Sequence, residues 1–195
     1  MIKNHHCWAD AARPVFFTIL SSFLGDAALL WVYRDREPSL IEIQLPVKIG
    51  SPVEKIVARY PGAEQKLHPS LHTIKDQIEA SLRGESVHYC LDVLDWDCCY
   101  EFQRKVLRKA FEIPRGNVVS YGYLAEKTGA PGAARAVGNA MARNPFPLVL
   151  PCHRVVRSSG HLGNFGGGVD MKRALLFLEG VDVGRGDVVD RRFFW

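Results

Sequence analysis

The pattern of apolar and polar positions changes character close to residue 96. Before it, Phe16–Phe23, Ala28–Arg34 and Leu40–Leu45 are short runs rich in aromatic and branched residues. Turn signals at Gly25-Asp26 and Arg36-Glu37-Pro38 separate them, and such runs predict a small antiparallel sheet. Ser51–Tyr60 then has helical spacing: Ser51 suits the N-cap, Pro52 the first helical position and Glu54 the capping-box position. Leu71, Ile74, Ile78 and Leu82 stripe one face of a second helix, Leu71–Leu82, ended near Gly84. Val87–Trp96 keeps neither period and reads as an irregular linker.

From Tyr100 the pattern is helical. Phe102, Val106, Leu107 and Ala110 stripe a helix that stops before Pro114-Arg115-Gly116. Ser120 caps Tyr121–Lys127, which ends at Gly129. After Ala130-Pro131-Gly132 comes Ala133–Arg143, stopped by Asn144-Pro145. Two short helices joined by a Gly/Pro turn predict a helix-turn-helix. Leu148–Leu150 reads as a brief strand into Pro151-Cys152, Gly160–Gly168 as a glycine-rich loop, and Met171–Glu179 as a last core helix. The expected fold is α/β. Residues 1–95 form an N-terminal domain, a small antiparallel sheet with helices; residues 96–183 form a winged helix-turn-helix-like domain carrying Cys152; residues 184–195 are a C-terminal tail.

Composition is that of a soluble globular protein, 47% hydrophobic and 24% charged, and charge adds one asymmetry. Residues 1–100 carry 10 Lys+Arg against 13 Asp+Glu, whereas residues 101–195 carry 15 against 8. A balance of about −3 followed by about +7 suggests that the second half meets a polyanion, although a solvated basic surface has the same composition. The apolar stretch Pro14–Tyr33 is interrupted by Ser21, Ser22, Gly25 and Asp26. A mid-span charge is costly in lipid, so a hairpin is expected and no membrane anchor. The five cysteines are an odd number without paired spacing, which favours a reducing compartment over a disulfide framework. Cys7 beside His5 and His6 lacks a second ligand pair at zinc spacing, so no metal is expected.

Two features carry candidate chemistry. In Ala133–Arg143 the small residues Ala133, Ala134, Ala136, Gly138 and Ala140 leave a slim helix from which Arg135 and Arg143 project. Close packing explains such a helix, and so does insertion into a DNA groove, with arginine on phosphate or between bases. The second feature is Cys152 followed by His153, with Arg154 and Arg157 nearby. Positive neighbours stabilise a thiolate, and a thiolate with an imidazole in reach is a minimal activated nucleophile. Adjacent side chains seldom point the same way, so a bridging water between the two is expected.

In order and spacing, Val119-Ser120-Tyr121-Gly122, Ala134-Arg135-Ala136-Val137-Gly138, Asn144-Pro145 and Pro151-Cys152-His153-Arg154-Val155-Val156 resemble the O6-alkylguanine-DNA alkyltransferase family. The resemblance runs from about Phe102 to Gly180 and is only architectural over residues 1–95. It implies a repair protein that takes the alkyl group from O6-alkylguanine in double-stranded DNA onto its own cysteine, once, without a cofactor. It implies Cys152 as acceptor, His153 as a base acting through water, Glu179 orienting the imidazole and Asn144 bracing the turn. Tyr121, Val155, Phe165 and Gly166 would line the extruded base; Arg135, Ala134, Gly138 and Tyr121 would meet DNA, with the second helix in the minor groove and Arg135 filling the stack. Phe165 departs from the pattern, because the family usually has tyrosine there. A cytoplasmic monomer follows, nucleoid-associated in a prokaryote or nuclear in a eukaryote. The competing readings are a lesion-binding alkyltransferase-like protein, which would lack the cysteine, a transcription regulator with sequence preference, and a Cys-His hydrolase with many turnovers.

Overall fold

A computed structural model describes residues 13–46 and 50–195. His5, His6 and Cys7, the only metal-tail candidate, lie outside the described residues. Three strands, β1 (Phe16–Ser22), β2 (Gly25–Arg34) and β3 (Glu37–Gln44), form the antiparallel meander expected from their aromatic and branched residues. A two-residue strand, β4 (Glu64–Gln65), adds in parallel beside β1, giving the order β3-β2-β1-β4. Pro14–Tyr33 is thus a hairpin, and among the described residues no helix is long and apolar enough to cross a membrane.

Both turns lie a residue or two earlier than the sequence signals. Phe23-Leu24 form the first loop, with Gly25 already paired to Ser22 at φ +107. Asp35 and Arg36 form the second, at φ +47 and +74, the left-handed pair that a tight hairpin turn requires. Pro38 sits inside β3 instead of the turn. Because β3 is an edge strand, a residue without an N–H is tolerated there.

Helix α1 (Pro52–Arg59) has the full capping box: Ser51 accepts from Val53 N–H, and Glu54 accepts from Ser51 N–H. Helix α2 (His72–Leu82) buries Ile74, Ile78 and Leu82 and ends before Gly84, at φ +86. The irregular segment 87–95 lies along the outer edge of β3, where Leu40 N–H donates to Val93 and Asp95 N–H donates to Leu40. Beside it Ile43 N–H donates to the Pro145 carbonyl at 2.7 Å. The exposed sheet edge is thereby covered, and it braces the turn that leads to Cys152.

The second half contains α3 (Glu101–Phe111), β5 (Val119–Ser120), α4 (Tyr121–Lys127), α5 (Ala134–Ala142), β6 (Val155–Val156) and α6 (Val169–Leu178). Buried Gln103 of α3 donates to the carbonyls of Ala140 and Arg143, fixing the end of α5. Leu148–Leu150 is a buried turn, correcting the expected strand. Three apolar residues without a partner strand carry no period, and Leu148 adopts φ +74. Residues 184–195 are packed on the domain. Strands β7 (Val183–Gly184) and β8 (Val188–Val189) pair, Val189 N–H donates to Gly160, and Val118 N–H donates to Phe193. A Cβ on Gly160 would meet the Val189 carbonyl at 2.6 Å, so that contact requires glycine. One hydrophobic cluster runs from Phe16 and Trp31 through Leu107 and Val137 to Cys152 and Leu175, so both halves share a core.

Candidate active site

Cys152 opens a single 3-10 turn, Cys152–Arg154, between the Asn144 turn and β6. Asn144 holds that approach at both ends: Nδ2 donates to the Leu150 carbonyl at 2.7 Å, and Oδ1 accepts from Phe146 N–H at 3.0 Å. Its side chain also hydrogen-bonds the sulfur. On the far side β6 pairs in parallel with β5, Val155 against Val119, which sets Tyr121 at the start of α4 beside the cysteine turn. The Cys152 and Tyr121 groups act on each other electrostatically.

His153 is enclosed and its Nε2 lies 2.9 Å from Glu179 Oε1. Arg154 grips the same carboxylate with two hydrogen bonds, Nε to Oε2 at 2.9 Å and Nη2 to Oε1 at 2.8 Å, while Nη1 donates to the Ile113 carbonyl. Burial alone would raise the Glu179 pKa, but His153 and Arg154 outweigh it and hold the carboxyl at about 2. An ionised carboxylate only accepts, so His153 Nε2 carries the hydrogen. The opposite ring nitrogen, Nδ1, is buried without a hydrogen-bond partner among the described residues.

The thiol does not have the environment expected from its neighbours in sequence. Burial pushes the Cys152 pKa up, and this outweighs the lowering by Asn144, Lys172 and the backbone N–H groups of Cys152 and His153. Arg154 is committed to Glu179, and Arg157 is exposed beyond β6. The cation that does act on the sulfur is Lys172 of α6, which is fully enclosed. Its Nζ donates to the carbonyls of Val155 and Leu162, both at 2.6 Å, and desolvation lowers its pKa to about 8. Sequence reasoning missed this residue because lysine usually faces water. A signal was present: Lys172 is three and four residues before Leu175 and Leu176, on the core face of the helix.

The remaining candidates fall in different places. Val155 is fully enclosed and its carbonyl is taken by Lys172, so its side chain meets no open surface. Phe165 is half-buried against the core cluster and Gly166 is exposed. On α5, Arg135, Ala136, Asn139 and Ala142 form the open face, and Ala134 is half-buried. Gly138 turns toward the Tyr121 ring, which a Cβ would meet at 4.0 Å. That is ordinary van der Waals contact; Gly138 and Ala134 are both half-buried, and Arg135 is the one of the three proposed α5 contacts that stands fully on the open face.

Residues 101–181, from α3 to just past α6, match the family model described as the 6-O-methylguanine DNA methyltransferase DNA-binding domain. The structure resembles that of Mycobacterium tuberculosis OGT in complex with DNA, with a TM-score of 0.65 and 33% identity, covering 84% of this chain and 92% of that one. The chain belongs to the 6-O-methylguanine DNA methyltransferase family. An archaeal relative, the methylated-DNA–protein-cysteine methyltransferase of Methanothermobacter thermautotrophicus, is 44% identical over 58% of this chain and 64% of its own length. The human methyltransferase is 51% identical over 43% of this chain and 41% of its own. The chain thus spans less than two thirds of the curated methyltransferases it matches. The family model spans the half that holds Cys152, whereas the structural likeness to the mycobacterial protein covers 84% of the chain.

Proposed function

We propose that this protein repairs O6-alkylguanine in duplex DNA by a single, irreversible transfer of the alkyl group to Cys152. The observation that carries this reading is the orphaned His153 Nδ1, buried one residue from the thiol while Nε2 is held by Glu179. A buried basic lone pair without a partner is costly unless it is used. Its use is to take the Cys152 proton through a water. The thiolate then attacks the alkyl carbon in line, the carbon–oxygen bond breaks, and the electron pair moves onto guanine. Tyr121 supplies a proton to the departing base, since burial and the Cys152 charge keep its phenol protonated. The proton held on His153 balances the exchange. The product thioether has no ready leaving group, so one molecule acts once.

The O6 carbon is hidden in the base stack, so the nucleotide must be turned out. Arg135, on the open face of α5, fills the gap in the stack from the minor groove. Nothing in this chemistry calls for a cofactor or a second subunit. The test is incubation with a duplex oligonucleotide containing O6-methylguanine, followed by peptide mapping. One methyl per molecule on Cys152 is the expected result. Sustained turnover, or methyl on another residue, would falsify the reading.

A further inference from the structure

We propose that Arg157 is a phosphate anchor at the rim of the site, gripping the backbone of the extruded nucleotide. This inference rests on the alkyl-transfer reading. Arg157 follows β6 directly, and its backbone is fixed: its N–H donates to the His161 carbonyl at 2.9 Å, and its carbonyl accepts from Gly160 N–H at 2.8 Å. Gly163, at φ +71, donates its N–H to His161 Nδ1. A Cβ on Gly163 would lie 3.6 Å from the Tyr121 hydroxyl, 3.7 Å from Arg157 Nε and 3.8 Å from Arg157 Cγ. The phenol and the guanidinium therefore flank one bare backbone position. The Arg157 charge is felt at Tyr121, and Tyr121 in turn feels Cys152.

Arg157 also differs from the arginines around it. Arg154 is held by Glu179, Arg173 by Asp187, and Arg115 by the carbonyls of Gly84 and Leu178. The Arg157 side chain is exposed and makes no ion pair or hydrogen bond among the described residues. An uncommitted guanidinium with a fixed backbone matches an anionic oxygen pair. Two sources of that chemistry reach this site: the phosphodiester beside the lesion, and a carboxylate carried on the O6 substituent. The geometry favours the first. The alkyl carbon must travel to the buried sulfur, so the sugar and phosphates stay at the rim, where Arg157 is.

The test compares wild type, Arg157→Gln and Arg157→Lys. Arg157→Gln is expected to weaken binding to a duplex containing O6-methylguanine roughly three- to tenfold at low salt, and to lower the salt slope of log K by about one. Arg157→Lys should restore the slope. A duplex with a neutral methylphosphonate beside the lesion should cost wild type the same loss and cost Arg157→Gln nothing more. Transfer from free O6-benzylguanine and free O6-carboxymethylguanine should be unchanged. An unaltered salt slope, or an equal loss on both free bases, would overturn the proposal. A loss confined to the carboxymethyl base would also overturn it, making Arg157 a reader of the lesion. Wild type that never transfers an alkyl group would sink the parent reading, and the salt slope would still decide Arg157.

Discussion

Two buried charges are handled in opposite ways in the two halves of the molecule. Asp95, in the segment beside β3, is cancelled where it stands: Arg34 Nε donates to Oδ2 at 2.7 Å, and Asp97 N–H donates to Oδ1. Lys172 is enclosed more completely, yet has no carboxylate within ion-pair distance among the described residues. Two carbonyls take its hydrogens, and the charge acting on it is that of the Cys152 sulfur. Removing an ion from water is costly in either case. In the first, the cost is offset by a partner that is always present, and the result is a staple between β2 and the linker. In the second, it is offset fully only when Cys152 becomes a thiolate. A buried charge with a permanent partner is architecture; one whose partner must first ionise is chemistry.

The contrast is tested most severely at the sulfur itself. Cys152→Ser should lose transfer beyond detection and keep duplex binding, whereas Cys99→Ser, in the shared core, should transfer at the wild-type rate. Next comes the cation. Lys172→Met should slow single-turnover transfer at neutral pH about ten- to a hundredfold, by raising the thiol pKa further. It should leave the fold equally or more stable, because an apolar side chain replaces a desolvated charge. Arg34→Met should do the reverse, costing about 1–3 kcal/mol in denaturant unfolding with no change in rate. If Lys172→Met lost stability and kept its rate, the lysine would be a staple too. On the DNA side, Arg135→Ala should reduce duplex repair about tenfold and leave transfer from free O6-benzylguanine unchanged, since only the duplex needs flipping.

The same contrast fixes the direction of the pH dependence. Lys172 has a folded pKa of about 8 against an ordinary 10.5. Between those values the unfolded chain holds more protons, so the Lys172 penalty is complete below pH 8 and is relieved as pH rises toward 10.5. The stability of wild type relative to Lys172→Met should therefore climb across that window. Glu179 runs in the acid range, from 4.5 down to about 2. Its contribution is whole above pH 4.5 and is lost as pH falls toward 2, and Glu179→Gln should abolish that loss. Unfolding midpoints measured against pH check both.

How much of this could be read from sequence depended on whether the signal was local. The capping box of Ser51 and Glu54 and the stripe of Leu71, Ile74, Ile78 and Leu82 concern neighbours within a turn or two, and both stand as expected. The hairpin turns slipped because Gly25 and Pro38 are turn formers used here at strand positions, one by its φ and one by its place on an edge. Leu148–Leu150 was misread because burial without a partner strand leaves no period. At the site, the Cys152–His153 pair was visible in the residues themselves, Asn144, Tyr121 and Glu179 came from the family resemblance, and the structure brings all five together. The Arg154 grip on Glu179 was not legible, since it joins residues 25 apart, and Lys172 showed only in its spacing to Leu175 and Leu176, against the usual preference of lysine for water.

The smallest expected effect applies the contrast to a neutral group. Phe165 is the site position that departs from the family pattern, and it is half-buried against the core. If a hydroxyl at this position contacts the reacting oxygen, the present chain lacks one neutral hydrogen bond in the transition state. Such a bond is worth roughly 0.5–1.5 kcal/mol net. That corresponds to about a two- to twelvefold change in rate, well below the effect of an unneutralised charge. Phe165→Tyr should therefore speed single-turnover transfer from a methylated oligonucleotide within that range and leave duplex affinity unchanged. A tyrosine variant that is slower than wild type, or no faster, would mean that the pocket is shaped around the phenyl ring. Rate at this site would then be set by the charges of Lys172 and Glu179, with no share left for the aromatic wall.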